Sequence, residues 1–223
     1  MTSIFKANLS DLFKLITTKK EFFIMIFANL IVQLGITYYV MEKINIDPNN
    51  KNTSLYRILA VVLILVLVIS IVILPLPSWL KFIIFSITSA LWGYIFSKLR
   101  LVVGEETIKM AVIGAISIFA LMFAFGVGLI VSGIKLGFKF GLILFELLTF
   151  LIIVRIVQIF IPTTSLIKKI ITVFSLLLFS IYIIYDTNSI LQRNYNGDFI
   201  RASMDYYLDI LNIFTDLTSF RRD

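Results

Sequence analysis

Seven stretches of mainly apolar residues follow one another along the chain and constrain its fold more than any other feature. They lie close to residues 21–41, 55–76, 81–99, 107–131, 136–160, 166–186 and 199–217. Each is about as long as the roughly 20 apolar residues that a membrane-spanning helix needs. The expected fold class is therefore an all-α integral membrane protein with seven transmembrane helices.

The domain organisation follows from these stretches. Residues 1–20 are expected to form an N-terminal cytosolic arm, residues 21–217 a seven-helix membrane domain, and residues 218–223 a short C-terminal tail. The arm has no apolar run followed by a small-residue cleavage site, so no cleavable signal peptide is expected. Lys19 and Lys20, just before the first stretch, favour a cytosolic N-terminus. The loops on the two sides of the membrane carry nearly equal numbers of lysine and arginine residues. The side of the membrane on which the C-terminus lies therefore stays open.

The composition excludes several classes of function. With 60% hydrophobic and 15% charged residues, the chain is far from the roughly 25% charged residues of soluble domains. It has no cysteine and no histidine, which excludes disulfides, thiolate nucleophiles, the usual zinc sites and a Ser-His catalytic pair. Any pH sensing must use carboxylates. The net charge of +7 is spread over loops and termini, which indicates contact with the lipid bilayer and no nucleic acid.

The last stretch carries a narrow polar stripe. Arg201, Asp205, Asp209, Asn212 and Asp216 recur at spacings of three or four residues and therefore share one helical face. An ionised side chain at mid-membrane costs about 2.5–3.5 kcal/mol or more, so this face must contact other helices or a water-filled path. The polar groups near the ends can satisfy one another. Asp209 has no basic residue within one turn, so it needs a partner from another helix, a bound cation or a proton.

Asp186 is the expected companion of Asp209. It ends the sixth stretch, and only the short loop 188–198 separates it from the seventh, so the two helices are expected to be adjacent and antiparallel. Two carboxylates in a low-dielectric site cannot both ionise cheaply, and they titrate as a unit. Such a pair holds a shared proton or a hard divalent cation.

Two segments resemble the C-terminal signature of the Bax inhibitor-1 family: YDTNSIL at 185–191 and DFIRASMDYYLDILNIF at 198–214. In that family a Tyr-Asp-Thr motif ends the sixth helix, and the seventh carries Tyr-Leu-Asp followed by a variant of Asn-Leu-Phe. The resemblance implies two three-helix layers around a central C-terminal helix. It also implies a pH-sensitive calcium leak in which Asp186 and Asp209 are the proton-sensing pair and bind Ca²⁺ transiently. The membrane would be a bacterial plasma membrane or a eukaryotic endoplasmic reticulum or Golgi membrane.

The chain departs from the family pattern at its basic latch. The closed state of the family has an arginine in the second helix that holds the aspartate of the sixth, but the second stretch here has no internal basic residue. Arg57, at its start, and Arg155, in the fifth stretch, are the candidates. Arg155 could instead extend to the membrane interface. Glu146, also in the fifth stretch, either lines the path or stays protonated.

The predicted function is a pH-sensitive calcium (cation) leak channel or exchanger, gated by the buried pair Asp186 and Asp209. Asp205, Asn212, Asp216 and Glu146 would add polar groups along the path. Ca²⁺ and H⁺ are the expected partners, and no resident cofactor is expected. The alternative is a non-conducting membrane regulator of cell death or stress that acts through protein partners.

An enzyme is not expected. An intramembrane aspartyl protease needs a Gly-x-Gly-Asp motif at its second aspartate, and Asp209 lies in YYLDIL without a nearby glycine.

Overall fold

The computed structural model describes residues 2–44, 53–161, 163–192 and 195–220, and nearly all of them are helical. A short 3₁₀ turn, Tyr195–Gly197, precedes the last helix. The α-helices in chain order are α1 (Thr2–Lys43), α2 (Thr53–Ile73), α3 (Ser78–Val103), α4 (Glu105–Val131), α5 (Phe138–Phe160), α6 (Ser165–Gln192) and α7 (Phe199–Phe220). The described residues contain no strand, so the all-α prediction is confirmed.

Six of the seven predicted spans are confirmed as helices long and apolar enough to cross a membrane, namely α1 to α6. Helix α7 is not among them, because Arg201, Asp205, Asp209 and Asp216 lower its apolar content. Most of its residues are nevertheless buried. The membrane placement of α7 and the arrangement of the helices in two layers stay predictions.

Both ends of the predicted membrane domain differ from the observed helices. Helix α1 begins at Thr2, so the predicted arm and the first span form one continuous helix. Helix α7 continues to Phe220, so the predicted tail 218–223 is helical over its first three residues. Met1 and residues 221–223 lie outside the described part of the chain.

Helix α6 continues six residues beyond its predicted end at Asp186. The polar residues that suggested a loop bind the backbone of the turn before α5. Asn188 accepts a hydrogen bond from the Leu136 N–H at 2.8 Å and donates to the Ile134 carbonyl at 3.0 Å. Gln192 donates to the Leu136 carbonyl at 3.1 Å. Asp186 therefore lies within a helix, and not at its end.

The chain divides into two compact units. The first unit consists of Met1–Glu21, Lys109–Asn196 and Leu208–Asp223, and the second of Phe22–Ile108 and Gly197–Tyr207. Helix α5 packs on α6 in the first unit, and α2 packs on α3 in the second. Helix α7 therefore contributes its C-terminal residues to the first unit and its N-terminal residues to the second.

Two features of the second unit fix the start of α7. Asp198 accepts a hydrogen bond from the Arg201 N–H at 3.0 Å, which satisfies a free donor of the first turn. The same carboxylate forms an ion pair with Lys81. Further along the helix, Tyr207 makes an edge-on ring contact with Phe85, with ring centroids 5.0 Å apart. Polar capping and aromatic packing thus hold the first half of α7 within the second unit.

Candidate functional site

The Tyr-Asp-Thr segment of α6 is fixed by two glycines in the first unit. The Tyr185 ring fills the space that a side chain at Gly141 of α5 would occupy, and Thr187 packs directly on Gly126 of α4. A Cβ atom at Gly126 would lie 2.8 Å from the Thr187 Cβ. Successive side chains of a helix are about 100° apart, so Asp186 occupies a third face of α6, between these two packed residues.

Asp186 and Asp209 have a common neighbour in Tyr182. Asp186 is 8% exposed and Asp209 is 5% exposed, so both carboxylates are buried. Tyr182 lies one turn before Asp186 on the same face of α6, and its hydroxyl is close enough to both aspartates for electrostatic interaction. The structure therefore brings the two predicted residues into one neighbourhood, while their pairing stays a prediction.

Helix α7 carries a second buried carboxylate, Asp216, in addition to Asp209. Asp216 lies next to Ser175 of α6. Asp216 is seven residues after Asp209, and Ser175 is seven residues before Tyr182. Two neighbouring positions with opposite sequence order mean that α6 and the second half of α7 run antiparallel, as predicted. Seven helical residues span about 10.5 Å, which is the separation of the two positions along α7.

Asp216 forms an ion pair with Arg155 of α5. The Arg155 Nη2 donates to the Asp216 Oδ1 at 2.9 Å. The two side chains differ in exposure, since that of Asp216 is 4% exposed and that of Arg155 is 39% exposed. The Oδ2 of Asp216 is buried and accepts no hydrogen bond from the described residues. The first unit therefore holds Asp186, Asp209 and Asp216 as buried carboxylates, with Arg155 bound to the last of them.

The remaining predicted residues are more dispersed. Asn212 donates to the Leu208 carbonyl of its own helix at 2.8 Å, so a backbone group satisfies its amide. Glu146 is exposed on α5. Asp205 and Arg57 belong to the second unit and are half-buried. The latch roles of Arg57 and Arg155 towards Asp186 stay predictions.

A stable metal site requires several ligands close together, and the positions of the buried aspartates can be compared with this requirement. No group of three or more acidic residues is placed to hold a metal ion in the parts of the chain that the structure describes. Asp186 and Asp209 are two carboxylates, which is fewer ligands than Ca²⁺ takes in stable protein sites. Their role as transient Ca²⁺ ligands stays a prediction.

Side chains of α1, α3 and α7 form a neutral polar network in the second unit, which was not predicted from the sequence. Gln33 is at the centre of its hydrogen bonds. The Gln33 amide donates to the Asn29 Oδ1 and to the Ser86 Oγ, both at 3.2 Å. Gln33 also accepts from the Ser89 Oγ at 2.8 Å. Asn29 in turn donates to the Ser203 Oγ at 2.5 Å. These five side chains thus link three helices without any charge.

Thr37 and Tyr207 extend the neutral network. The Thr37 hydroxyl lies 3.0 Å from the Gln33 carbonyl and 3.1 Å from the Ser89 carbonyl. The Tyr207 hydroxyl is 2.6 Å from the same Thr37 oxygen. The signal in the sequence was the spacing of Asn29, Gln33 and Thr37, which recur every four residues in an apolar stretch and share one face of α1.

Comparison with known proteins identifies the family. The family model described as "Inhibitor of apoptosis-promoting Bax1" matches residues 14–221. The chain belongs to this family, the Bax inhibitor-1 family, and the six apolar helices make it a multi-pass integral membrane protein. The resemblance of the two C-terminal segments is thus confirmed for nearly the whole chain.

Individual relatives match over shorter stretches. A "BI1-like protein" of Arabidopsis thaliana is 37% identical over 82 residues, which is 37% of this chain and 32% of the relative. A "Golgi anti-apoptotic protein" of Vaccinia virus (strain Lister) is 35% identical over 79 residues, or 35% of this chain and 33% of the relative. "Protein LIFEGUARD 1" of Arabidopsis thaliana is 29% identical over 118 residues, or 51% and 48%. These matches cover between about a third and a half of each relative.

Proposed function

We propose that this protein is a pH-sensitive calcium (cation) leak channel or exchanger whose gate is the carboxylate pair Asp186 and Asp209. The observation that carries the proposal is the burial of both aspartates next to Tyr182, on antiparallel stretches of α6 and α7. In the same unit, Arg155 forms an ion pair with Asp216.

The chemistry of a buried carboxylate pair links cation binding to pH. Two nearby negative charges in a low-dielectric site attract a hard divalent cation, whose preferred ligands are oxygen atoms. A proton shared by the pair removes one charge and weakens this attraction. In the proposal, Ca²⁺ and H⁺ therefore compete for the same oxygens, and acidification changes the flux. Tyr182 adds a hydroxyl in the neighbourhood of both carboxylates.

The fixed position of α6 supports the same proposal. Tyr185 and Thr187 are packed against Gly141 and Gly126, so Asp186 cannot turn away without loss of these contacts. Movement at the gate is then expected in α7, whose apolar character is lower and whose polar face carries Asp209. Protonation or cation binding would change the contact of α7 with a stationary Asp186.

The experiment that tests the proposal measures Ca²⁺ entry into dye-loaded liposomes that contain the purified protein, from about pH 5 to about pH 8. Asp186→Asn and Asp209→Asn are expected to reduce the flux and to remove its pH dependence. Glu106→Gln is the matched control, because it removes a carboxylate from an exposed position in the first turn of α4. A pH-dependent flux that survives in both aspartate variants would refute the gate.

The second candidate is a non-conducting membrane regulator of cell death. The observation that favours it is the printed name of the viral relative, "Golgi anti-apoptotic protein". In this case the polar groups of α7 would hold a binding surface in place, and protein partners would carry the effect. No Ca²⁺ entry above that of empty liposomes at any pH would favour this function over the channel.

A further inference from the structure

The ion pair between Arg155 and Asp216 joins two side chains in different surroundings. The Asp216 side chain is 4% exposed, whereas that of Arg155 is 39% exposed. Arg155 lies five residues before the end of α5, and a long basic side chain there can extend to the membrane interface. The carboxylate is therefore enclosed by protein, while the guanidinium has a route out of the contact.

The two partners also differ in their ability to change charge. An arginine guanidinium stays protonated in proteins, so a proton that neutralises this pair must bind Asp216. Burial favours the neutral form of a carboxylic acid, whereas a nearby cation favours the ionised form. A proton and Arg155 therefore compete for the same carboxylate.

One oxygen of the carboxylate is placed to take a proton. Arg155 donates to the Oδ1 of Asp216, and the Oδ2 is buried without a hydrogen bond from any residue that the structure describes. The Ser175 hydroxyl lies next to the same carboxylate, and Ser175 is itself buried. A buried charged oxygen without a donor is unfavourable, and a bound proton removes the charge. A proton needs one oxygen, so a single carboxylate is sufficient.

Helices α4 and α5 bring one charge, that of Arg155, close to this carboxylate in the described part of the chain. Leu217 packs against Gly114 of α4, and residues 110–118 of that helix are uncharged. On α5, the charged side chain nearest to Arg155 along the helix is Glu146, which is exposed and more than two turns away.

Helices α6 and α7 bring no further charge within one turn of this position over their described residues. On α6, the lysines at 168 and 169 are almost two turns from Ser175. On α7, Asp209 is two turns before Asp216, and the other residues of 210–220 are uncharged. Arg155 is thus the counter-charge of the carboxylate, and protonation leaves the guanidinium without an ionic partner at this position.

We propose that Asp216 is a proton-binding site separate from the pair Asp186 and Asp209, and that its protonation releases Arg155 and uncouples the second half of α7 from α5. At high pH the ion pair holds the two helices together within the first unit. As the pH falls, the carboxylate binds a proton, the ionic attraction is lost, and the guanidinium moves to the membrane interface. In the proposed channel this release gives α7 the movement that the gate requires, and this last link alone rests on the proposed function.

The first test detects the proton by infrared difference spectroscopy of purified protein in detergent, between about pH 8 and about pH 5. It uses a background with Asp186→Asn and Asp209→Asn, in which the proposed gate has no carboxylate left to titrate. Acidification is expected to produce the carbonyl band of a buried, protonated carboxylic acid. The further change Asp216→Asn is expected to remove this band, whereas Glu106→Gln, at an exposed position of α4, is expected to keep it. Identical bands with and without Asp216 would overturn the inference.

The second test measures the distance between α5 and the end of α7 in the same background. The chain has no cysteine, so Ile156→Cys and Phe220→Cys, at two exposed positions, place one spin label on each helix. Pulsed electron paramagnetic resonance is expected to give a narrow distance distribution at about pH 8 and a longer, broader one at about pH 5. Equal distributions at the two pH values would contradict release of Arg155.

Charge variants show whether the ion pair causes the change in distance. Asp216→Asn and Arg155→Gln are each expected to give the longer, broader distribution at both pH values. Lys139→Gln is the matched control, because it removes an exposed cation from the first turn of α5, and it is expected to keep the pH-dependent change. A change with pH that persists without Asp216 or Arg155 would refute the pair as its cause.

These measurements and Ca²⁺ entry can fail independently. If Asp186→Asn and Asp209→Asn leave the flux unchanged, the gate is wrong, whereas the infrared band and the change in distance still support the site at Asp216. Thermal unfolding of each variant in detergent checks that the fold is kept, and Arg155→Met keeps most of the side-chain packing if Arg155→Gln does not fold.

Discussion

The two units of the protein solve the same physical problem in different ways. Both contain buried polar side chains in helices that are otherwise apolar. The second unit uses the neutral network, in which amides and hydroxyls of three helices satisfy one another. The first unit uses three buried aspartates and one partly exposed arginine. In the proposed function, the neutral network serves packing, whereas the buried aspartates of the first unit serve exchange with protons and cations.

The energies of the two solutions differ. A typical hydrogen bond adds about 0.5–1.5 kcal/mol to stability, and its loss leaves a neutral group unsatisfied at a cost of about 1–3 kcal/mol. A buried charge without a partner costs about 3–5 kcal/mol. A proton or a cation removes that cost. A carboxylate therefore responds to pH and to ion concentration, while the neutral network responds to neither.

The largest expected effect is loss of flux when the first unit loses its central charge. Asp209→Asn keeps the shape of the side chain but removes the negative charge that attracts a cation, so Ca²⁺ entry is expected to fall to that of empty liposomes. A large loss of stability in this variant would mean that Asp209 is a structural residue like those of the second unit.

The next effect is loss of stability in the neutral network. Gln33→Leu leaves the buried Asn29 and Ser89 each without one partner, and the free energy of unfolding is expected to fall by about 2–4 kcal/mol. Chemical unfolding in detergent measures this change. Ser117→Ala is the control, since Ser117 bonds only its own exposed helix backbone among the described residues. A shift in the pH dependence of Ca²⁺ entry in Gln33→Leu would break the comparison.

The third effect concerns the position of Asp186. Gly141→Ala places a Cβ against the Tyr185 ring, and such overpacking is expected to cost about 1–3 kcal/mol. The control is Gly35→Ala, where no atom lies within 4 Å of the added Cβ. That change is expected to stabilise α1 slightly, because alanine favours a helix over glycine by about 1 kcal/mol. Equal unfolding temperatures for the two variants would show that Tyr185 does not require Gly141.

The smallest effect is expected at the edge of the neutral network. Tyr207→Phe removes the hydroxyl that lies 2.6 Å from Thr37 and keeps the ring contact with Phe85. The free energy of unfolding is expected to fall by about 1 kcal/mol. A double-mutant cycle with Thr37→Val measures the coupling of the two side chains. Additive effects would exclude a direct bond between them.

Much of the fold follows from the sequence. The length of the apolar stretches predicted the helices, and the spacing in α7 predicted a polar face that must be covered. The predicted end of α6 at Asp186 was wrong. Asn188 and Gln192 are residue types typical of loops, but here they bind the turn before α5. A local pattern does not reveal that a distant backbone segment needs those amides.

Less of the candidate site than of the fold could be predicted from the sequence. The predicted neighbourhood of Asp186 and Asp209 rested on a short connection between two helices, which limits how far apart they lie. The ion pair of Arg155 with Asp216 joins residues 61 positions apart, and no spacing rule selects that partner. The neutral network was missed because average hydropathy hides single amides and hydroxyls in an apolar stretch such as residues 21–41.

The capped start of α7 has a consequence for how the protein is made. The six apolar helices precede α7 along the chain, so each can partition into the bilayer before α7 is synthesised. Helix α7 carries several charges and is not apolar enough to follow by partition alone. Its partners must already be in place, and the ion pair of Asp198 with Lys81 offers an attachment point on α3. Membrane insertion of α7 is therefore expected to be a late docking step, during which an unassembled chain is open to quality-control proteases.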